Sequence, residues 1–118
     1  MRHLLSVVVS VYNEEEALAQ FYQVTEGILN TISWDYELVF VNDGSRDQSL
    51  SILNRLADNN PKVKVVSFSR NFGHEAAMIA GIDYSQGDGI ICMDADLQHP
   101  PACIPEIIRR FEAGYEVI

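Results

Sequence analysis

Apolar residues run along the chain in two alternating rhythms. Leu4 to Val11, Tyr36 to Val41, Val63 to Phe68 and Gly89 to Met93 are short, nearly continuous apolar runs that predict buried strands. Tyr115 to Ile118 reads as the start of a fifth. Between them, apolar residues recur three or four positions apart, the repeat of one helix face. From Glu14 to about Thr31 that face is Leu18, Phe21, Tyr22, Thr25, Ile28 and Leu29, continued by Ile32. The next predicted helix carries Leu50, Ile52, Leu53, Leu56 and Ala57, with Ser45 or Asp47 as its cap, and stops before Asn59-Asn60-Pro61. Gly73 to Ser85 is Ala-rich and helical, ended by Gly87, with the Met78 and Ile79 region expected in the core. Pro100-Pro101 precedes a last helix through Ile104, Ile107, Ile108 and Phe111, closed by Gly114.

Continuous apolar strands joined by helical segments predict an α/β fold: a mostly parallel sheet with helices on both faces and right-handed crossovers. No repeat or low-complexity linker divides the chain, so residues 1–118 are expected to form one domain. The last predicted strand is cut short, and the expectation is that these residues are the N-terminal part of a longer domain, truncated at the C-terminus. An exposed final strand would then allow self-pairing, which makes a homo-oligomer an expected partner state.

Composition changes the picture only by exclusion. With 17 acidic against 8 basic residues the formal charge is −9, and 47% of residues are apolar, as in an ordinary globular chain. A net acidic chain without a Lys/Arg cluster speaks against non-specific nucleic-acid binding. No apolar run approaches the roughly 20 residues that cross a bilayer. The apolar N-terminus lacks a small-residue cleavage site and alternates like a strand, so it does not read as a signal peptide. Cys92 and Cys103 have neither zinc spacing nor the density of a disulfide scaffold, and a reducing compartment fits them. Cys92 is expected as a small core residue and Cys103 as a partly buried thiol on a helix. His3 and Trp34 read as surface or packing residues.

Ligands of open α/β sheets sit at the carboxyl ends of the strands. Four polar clusters fall there: Tyr12-Asn13-Glu14-Glu15-Glu16, Asn42-Asp43-Gly44-Ser45, Ser69-Arg70-Asn71-Phe72-Gly73-His74 and Asp94-Ala95-Asp96-Leu97-Gln98-His99. The first strand is followed by three glutamates rather than a glycine-rich phosphate turn, which disfavours a dinucleotide oxidoreductase and a P-loop NTPase. Carboxylates such as Glu14 and Asp43 can instead accept hydrogen bonds from ribose hydroxyls or base N–H groups. Asp94 and Asp96 are spaced so that both can face one way, with Gln98 at the same alternation. Such hard oxygen donors suit Mg²⁺ or Mn²⁺, which would bridge them to a diphosphate and stabilise its departure. A helix cap or solvated loop charge is the competing reading for each carboxylate taken singly.

The strings Tyr12-Asn13-Glu14-Glu15, Val41-Asn42-Asp43-Gly44-Ser45, Ser69-Arg70-Asn71-Phe72-Gly73-His74-Glu75-Ala76-Ala77 and Asp94-Ala95-Asp96-Leu97-Gln98-His99-Pro100-Pro101 resemble family 2 glycosyltransferases. More narrowly, they resemble the polyprenyl-phosphate sugar transferases of that family, in order along essentially the whole chain. The resemblance implies a GT-A, Rossmann-like fold and a UDP- or GDP-sugar donor. It implies that Val11, Tyr12 and Glu14 line the base and ribose pocket and that Asp43 contacts the base. Arg70 to Gly73 would shape the wall, and Asp94 and Ala95 would lie near ribose and diphosphate. Asp94 and Asp96 are the implied catalytic pair, with Asp94, Asp96 and Gln98 as the implied metal ligands. The implied acceptor is a polyprenyl phosphate at the cytoplasmic face of the membrane, reached through segments beyond residue 118. A saccharide or protein acceptor, or a non-catalytic nucleotide-binding module, remains the alternative. The fragment alone is expected to be inactive. Ser10 stands where the family often has proline, and His99 and Ala102 depart from common residues.

Overall fold

A computed structural model describes residues 3–95 and 103–112. Strands and helices alternate as β1 (Leu4–Val11), α1 (Leu18–Leu29), β2 (Asp35–Asn42), α2 (Ser49–Asn59), β3 (Val63–Ser67), α3 (His74–Tyr84), β4 (Gly89–Asp94) and α4 (Ile104–Glu112). All three pairings are parallel, in the order β3-β2-β1-β4. The chain steps outward from β1 through β2 to β3, then returns across the sheet to place β4 on the other side of β1. The carboxyl ends of β1 and β4 therefore flank the point where strand order reverses, where open α/β sheets leave a crevice.

Side-chain alternation assigns the faces. Leu5, Val7, Val9 and Val11 of β1, with Tyr36, Leu38 and Phe40 of β2, pack against Leu18, Phe21 and Leu29 of α1, Leu53 of α2, and Ile104 and Ile108 of α4. Phe21 meets Phe40 edge to face at 6.3 Å. The opposite face is thinner: Val8, Val39 and Val41 pack against Ala77 and Met78 of α3, with Val66, Phe68 and Ile90 around them. Helices on both faces of a parallel sheet are thus as the apolar runs predict. At the amino ends of the strands, buried Glu37 accepts hydrogen bonds from the Ser6 hydroxyl (2.6 Å) and the Gln86 amide (2.7 Å), while the Gly87 amide donates to Ser6 Oγ (2.8 Å). This latch closes the end of the sheet opposite the crevice.

Several expectations need correction. The first helix begins at Leu18, not Glu14, because residues 14–17 form a turn in which Ala17 and Leu18 both donate to the Glu14 carbonyl. The N-cap of α2 is Gln48, without a side-chain cap bond, although Asp47 Oδ1 accepts the Ser49 amide at 2.9 Å. Cys92 is exposed rather than core. It lies opposite Val8 on the α3 side, but α3 covers β1 and β2 and leaves that side of β4 thinly packed among the described residues. Ile79 is exposed for a related reason: α3 turns Ala77 and Gly81 to the sheet, so Ile79 and Ile82 point away. Cys103 is exposed and precedes α4 by one residue. Trp34 is buried, with the His3 ring 4.7 Å from its own. The predicted loop after residue 95, the Gly114 stop and the fifth strand lie outside the described residues.

Candidate functional site

The first loop of the crevice is held by the second. Asn13 adopts a left-handed backbone conformation, φ 53°, which asparagine tolerates better than most residues. Its amide donates to Ser45 Oγ (3.0 Å), and its side-chain carbonyl accepts the Arg46 amide (2.8 Å). The next two amides follow suit, Glu14 to Ser49 Oγ at 2.9 Å and Glu15 to Asp47 Oδ2 at 3.1 Å. Partial burial pushes the Asp47 carboxyl upward, but hydrogen bonds from Ser49 and the Glu15 amide outweigh it and hold the group below its ordinary value.

The second loop organises the third. Asp43 is 2% exposed, and its carboxylate accepts the Phe72 amide at 2.7 Å and the Gly73 amide at 3.0 Å. Asn71 Nδ2 reaches both the Asp43 carbonyl and Oδ2, each at 3.2 Å. The two loops touch so closely that a Cβ on Gly44 would lie 2.2 Å from the Arg70 carbonyl carbon, and the φ of +68° at Gly44 itself disfavours any side chain. Arg70 stacks its guanidinium over Phe72 at 4.7 Å from the ring centre.

The fourth element is the end of β4. Asp94 pairs in register with Ser10, on the sheet face that α3 covers. His74, the first residue of α3, places Nε2 2.7 Å from Asp94 Oδ1.

These loops enclose a cleft of about 390 Å³, lined by Ser10, Tyr12, Glu14, Asp43, Asn71, Gly73, His74, Asp94 and Ala95. That volume lies within the range of small-molecule sites. The fold brings together Tyr12, Glu14, Asp43, Asp94 and Ala95 of the residues expected from sequence. Val11 is not among the lining residues: its side chain belongs to the α1-side core and its carbonyl accepts the Asp43 amide. Arg70 is not a lining residue either, since its side chain turns onto Phe72. Asp96 and Gln98 lie outside the described residues. Ser10 is the lining residue that motif reading does not single out. Its signal was parity: it shares a face with Val8, the face on which Asp94 stands.

The sequence matches the model of glycosyl transferase family 2 over residues 6–118. The chain belongs to this family. As a family 2 chain it is 46% identical over 114 residues to the prophage bactoprenol glucosyl transferase homolog of Escherichia coli K12, covering 97% of this chain and 37% of that protein. It is 48% identical over 118 residues to the glycosyltransferase YkcC of Bacillus subtilis, covering 99% and 36% respectively. The chain thus spans little more than a third of the length of these relatives. Among solved structures, the mannosyltransferase of Pyrobaculum calidifontis in complex with GDP-Man and Mn²⁺ superposes with a TM-score of 0.78 at 20% identity, covering 92% of this chain and 32% of that one. A Staphylococcus aureus TarS structure with UDP-GlcNAc gives 0.69 at 24%, with 92% and 32% covered. Both likenesses show the GT-A type of fold.

A metal ion that these folds imply must fit the donors present. Among the described residues no three His, Cys, Asp or Glu side chains form a ready metal cage. Asp94 nonetheless gives the cleft a hard carboxylate donor, with Ser10 beside it in register. That set fits a Mg²⁺-like ion, which commonly takes one or two carboxylates and completes its shell with water and substrate phosphates. No helix among the described residues is long and apolar enough to cross a membrane.

Proposed function

We propose that the whole protein transfers a sugar from a UDP- or GDP-sugar to a polyprenyl phosphate, and that this chain supplies the donor-binding part. The observation that carries the reading is the acidic cleft at the strand-order reversal, with Asp94 at the end of β4 and Glu14 beyond β1. The 46% identity to a bactoprenol glucosyl transferase homolog supports the lipid acceptor.

In this reading Tyr12 and Glu14 contact base and ribose, and Asp43 keeps the wall between Asn71 and Gly73 in shape. Asp94, with Asp96 and Gln98 of the following segment, would hold Mg²⁺ or Mn²⁺. The bound ion supplies Lewis-acid neutralisation of the charge that develops on the leaving nucleoside diphosphate. The acceptor phosphate oxygen attacks the anomeric carbon as the bond from that carbon to the diphosphate oxygen breaks. Being already an anion, that nucleophile needs no base from this chain. The acceptor would bring the whole protein to the membrane through segments outside this chain.

Calorimetry of the whole protein with UDP and GDP, with Mn²⁺ and with EDTA, tests the donor site. Asp94→Ala is expected to lower sugar transfer to polyprenyl phosphate roughly 100-fold or more, and to abolish the Mn²⁺-dependent part of nucleotide binding. Binding that ignores both the metal and Asp94 in a folded protein would instead indicate a non-catalytic nucleotide module.

A further inference from the structure

His74 and Asp94 are drawn together from the first residue of α3 and the last of β4, 20 positions apart in sequence. The carboxylate can only accept, so Nε2 of His74 carries the hydrogen. The 2.7 Å separation is that of a charge-assisted bond. The bond engages Oδ1, and Oδ2 takes no hydrogen bond from the described residues. The backbone that leads into His74 is held in place. The preceding Gly73 sits at φ 104°, ψ 157°, a conformation open essentially to glycine, and its amide is bound to Asp43 Oδ2. The His74 and Asp94 side chains are 61% and 38% exposed, so their pairing adds little to folding. What it does fix is the rotation of the one carboxylate that β4 presents to the cleft.

We propose that His74 is the positioning residue for Asp94: it ties down one carboxylate oxygen and so turns the other toward the metal and diphosphate. The inference rests on the donor-site reading above. Histidine–carboxylate contacts behind metal ligands typically govern affinity by 10- to 100-fold. Neither a helix-start role nor a direct grip on the nucleotide would single out the metal-dependent part of binding.

The test is calorimetry of UDP and GDP on the whole protein with Mn²⁺ and with EDTA, for wild type, His74→Ala, His74→Gln and His74→Asn, with thermal melts to monitor folding. Expected for His74→Ala is a loss of about tenfold in the ratio of the affinity with Mn²⁺ to the affinity in EDTA. His74→Gln, whose amide nitrogen reaches about as far as Nε2, should restore most of the gain. His74→Asn suits a helix start but is too short to reach Asp94, so it should behave like alanine, and it replaces alanine if that variant does not fold. On an Asp94→Asn background His74→Ala should add no further loss. An unchanged Mn²⁺-dependent gain in both short variants would overturn the proposal, as would an equal loss with and without metal. If wild type itself shows no Mn²⁺-dependent gain, the donor-site reading fails first and takes this inference with it.

Discussion

Three donors converge on the carboxylate of Asp43, two of them backbone amides. Removing that acceptor breaks three part-buried hydrogen bonds, each worth about 0.5–1.5 kcal/mol. Asp43→Ala is therefore expected to lower stability by about 2–4 kcal/mol in urea unfolding, and to weaken nucleotide binding by loosening residues 71–73. Asparagine should rescue it poorly, since its NH₂ would face an amide donor. The sequence makes Asp43-Gly44 legible as a turn after a strand. That its side chain closes on residues about 30 positions later is not legible, because the contact depends on β3 lining up beside β2, Asn42 opposite Ser67. The place of Ser10 in the cleft is illegible for the same kind of reason: it comes from the register partner Asp94 and not from the neighbours in sequence.

At the scale of elements, α3 shows both the reach and the failure of periodicity. Its helical nature is plain from its alanines, but with small residues on several sides its buried face is ambiguous. The seam is set by Ala77 and Gly81, four apart, which let the helix settle onto Val8 and Val41. A Cβ on Gly81 would stand 2.3 Å from Val8 Cγ1, inside the packed face. Gly81→Ala should thus destabilise by about 1–3 kcal/mol from overpacking, offset by no more than about 1 kcal/mol of helix propensity, and lower the thermal midpoint. The contact between the 12–16 turn and the start of α2 carries a pH dependence. Asp47 is held below its ordinary pKa, so its contribution is present above the ordinary carboxylate range and is lost as pH falls through its folded value. Thermal melts should show Asp47→Asn lowering the midpoint at pH 7, with the gap to wild type closing as the pH drops below that folded value.

For the molecule as a whole, the layer order and the four described strands could be read from the alternation of apolar runs, because each run is buried on at least one side. Which side of each strand is only partly covered could not, as Cys92 illustrates. The charge of −9 is a global property with a global consequence. Carboxylates at the cleft and elsewhere repel one another, and at roughly 0.15 M salt the screening length is about 8 Å. Raising ionic strength from a few millimolar to that level should increase the thermal midpoint of the wild-type chain, and Mn²⁺ with nucleotide should raise it further at constant ionic strength.

β1 lies between β2 and β4, and the Leu4 amide is bonded to Asp88, 84 positions further on. During synthesis its apolar ribbon leaves the ribosome before either partner; β2 then covers one edge, and the other edge waits for β4. At about 5–20 residues per second that wait is roughly 4–17 s. For that interval the stretch from Leu5 to Val11 is an open template for foreign strands, so the nascent chain is a natural client for chaperones that shield extended apolar segments.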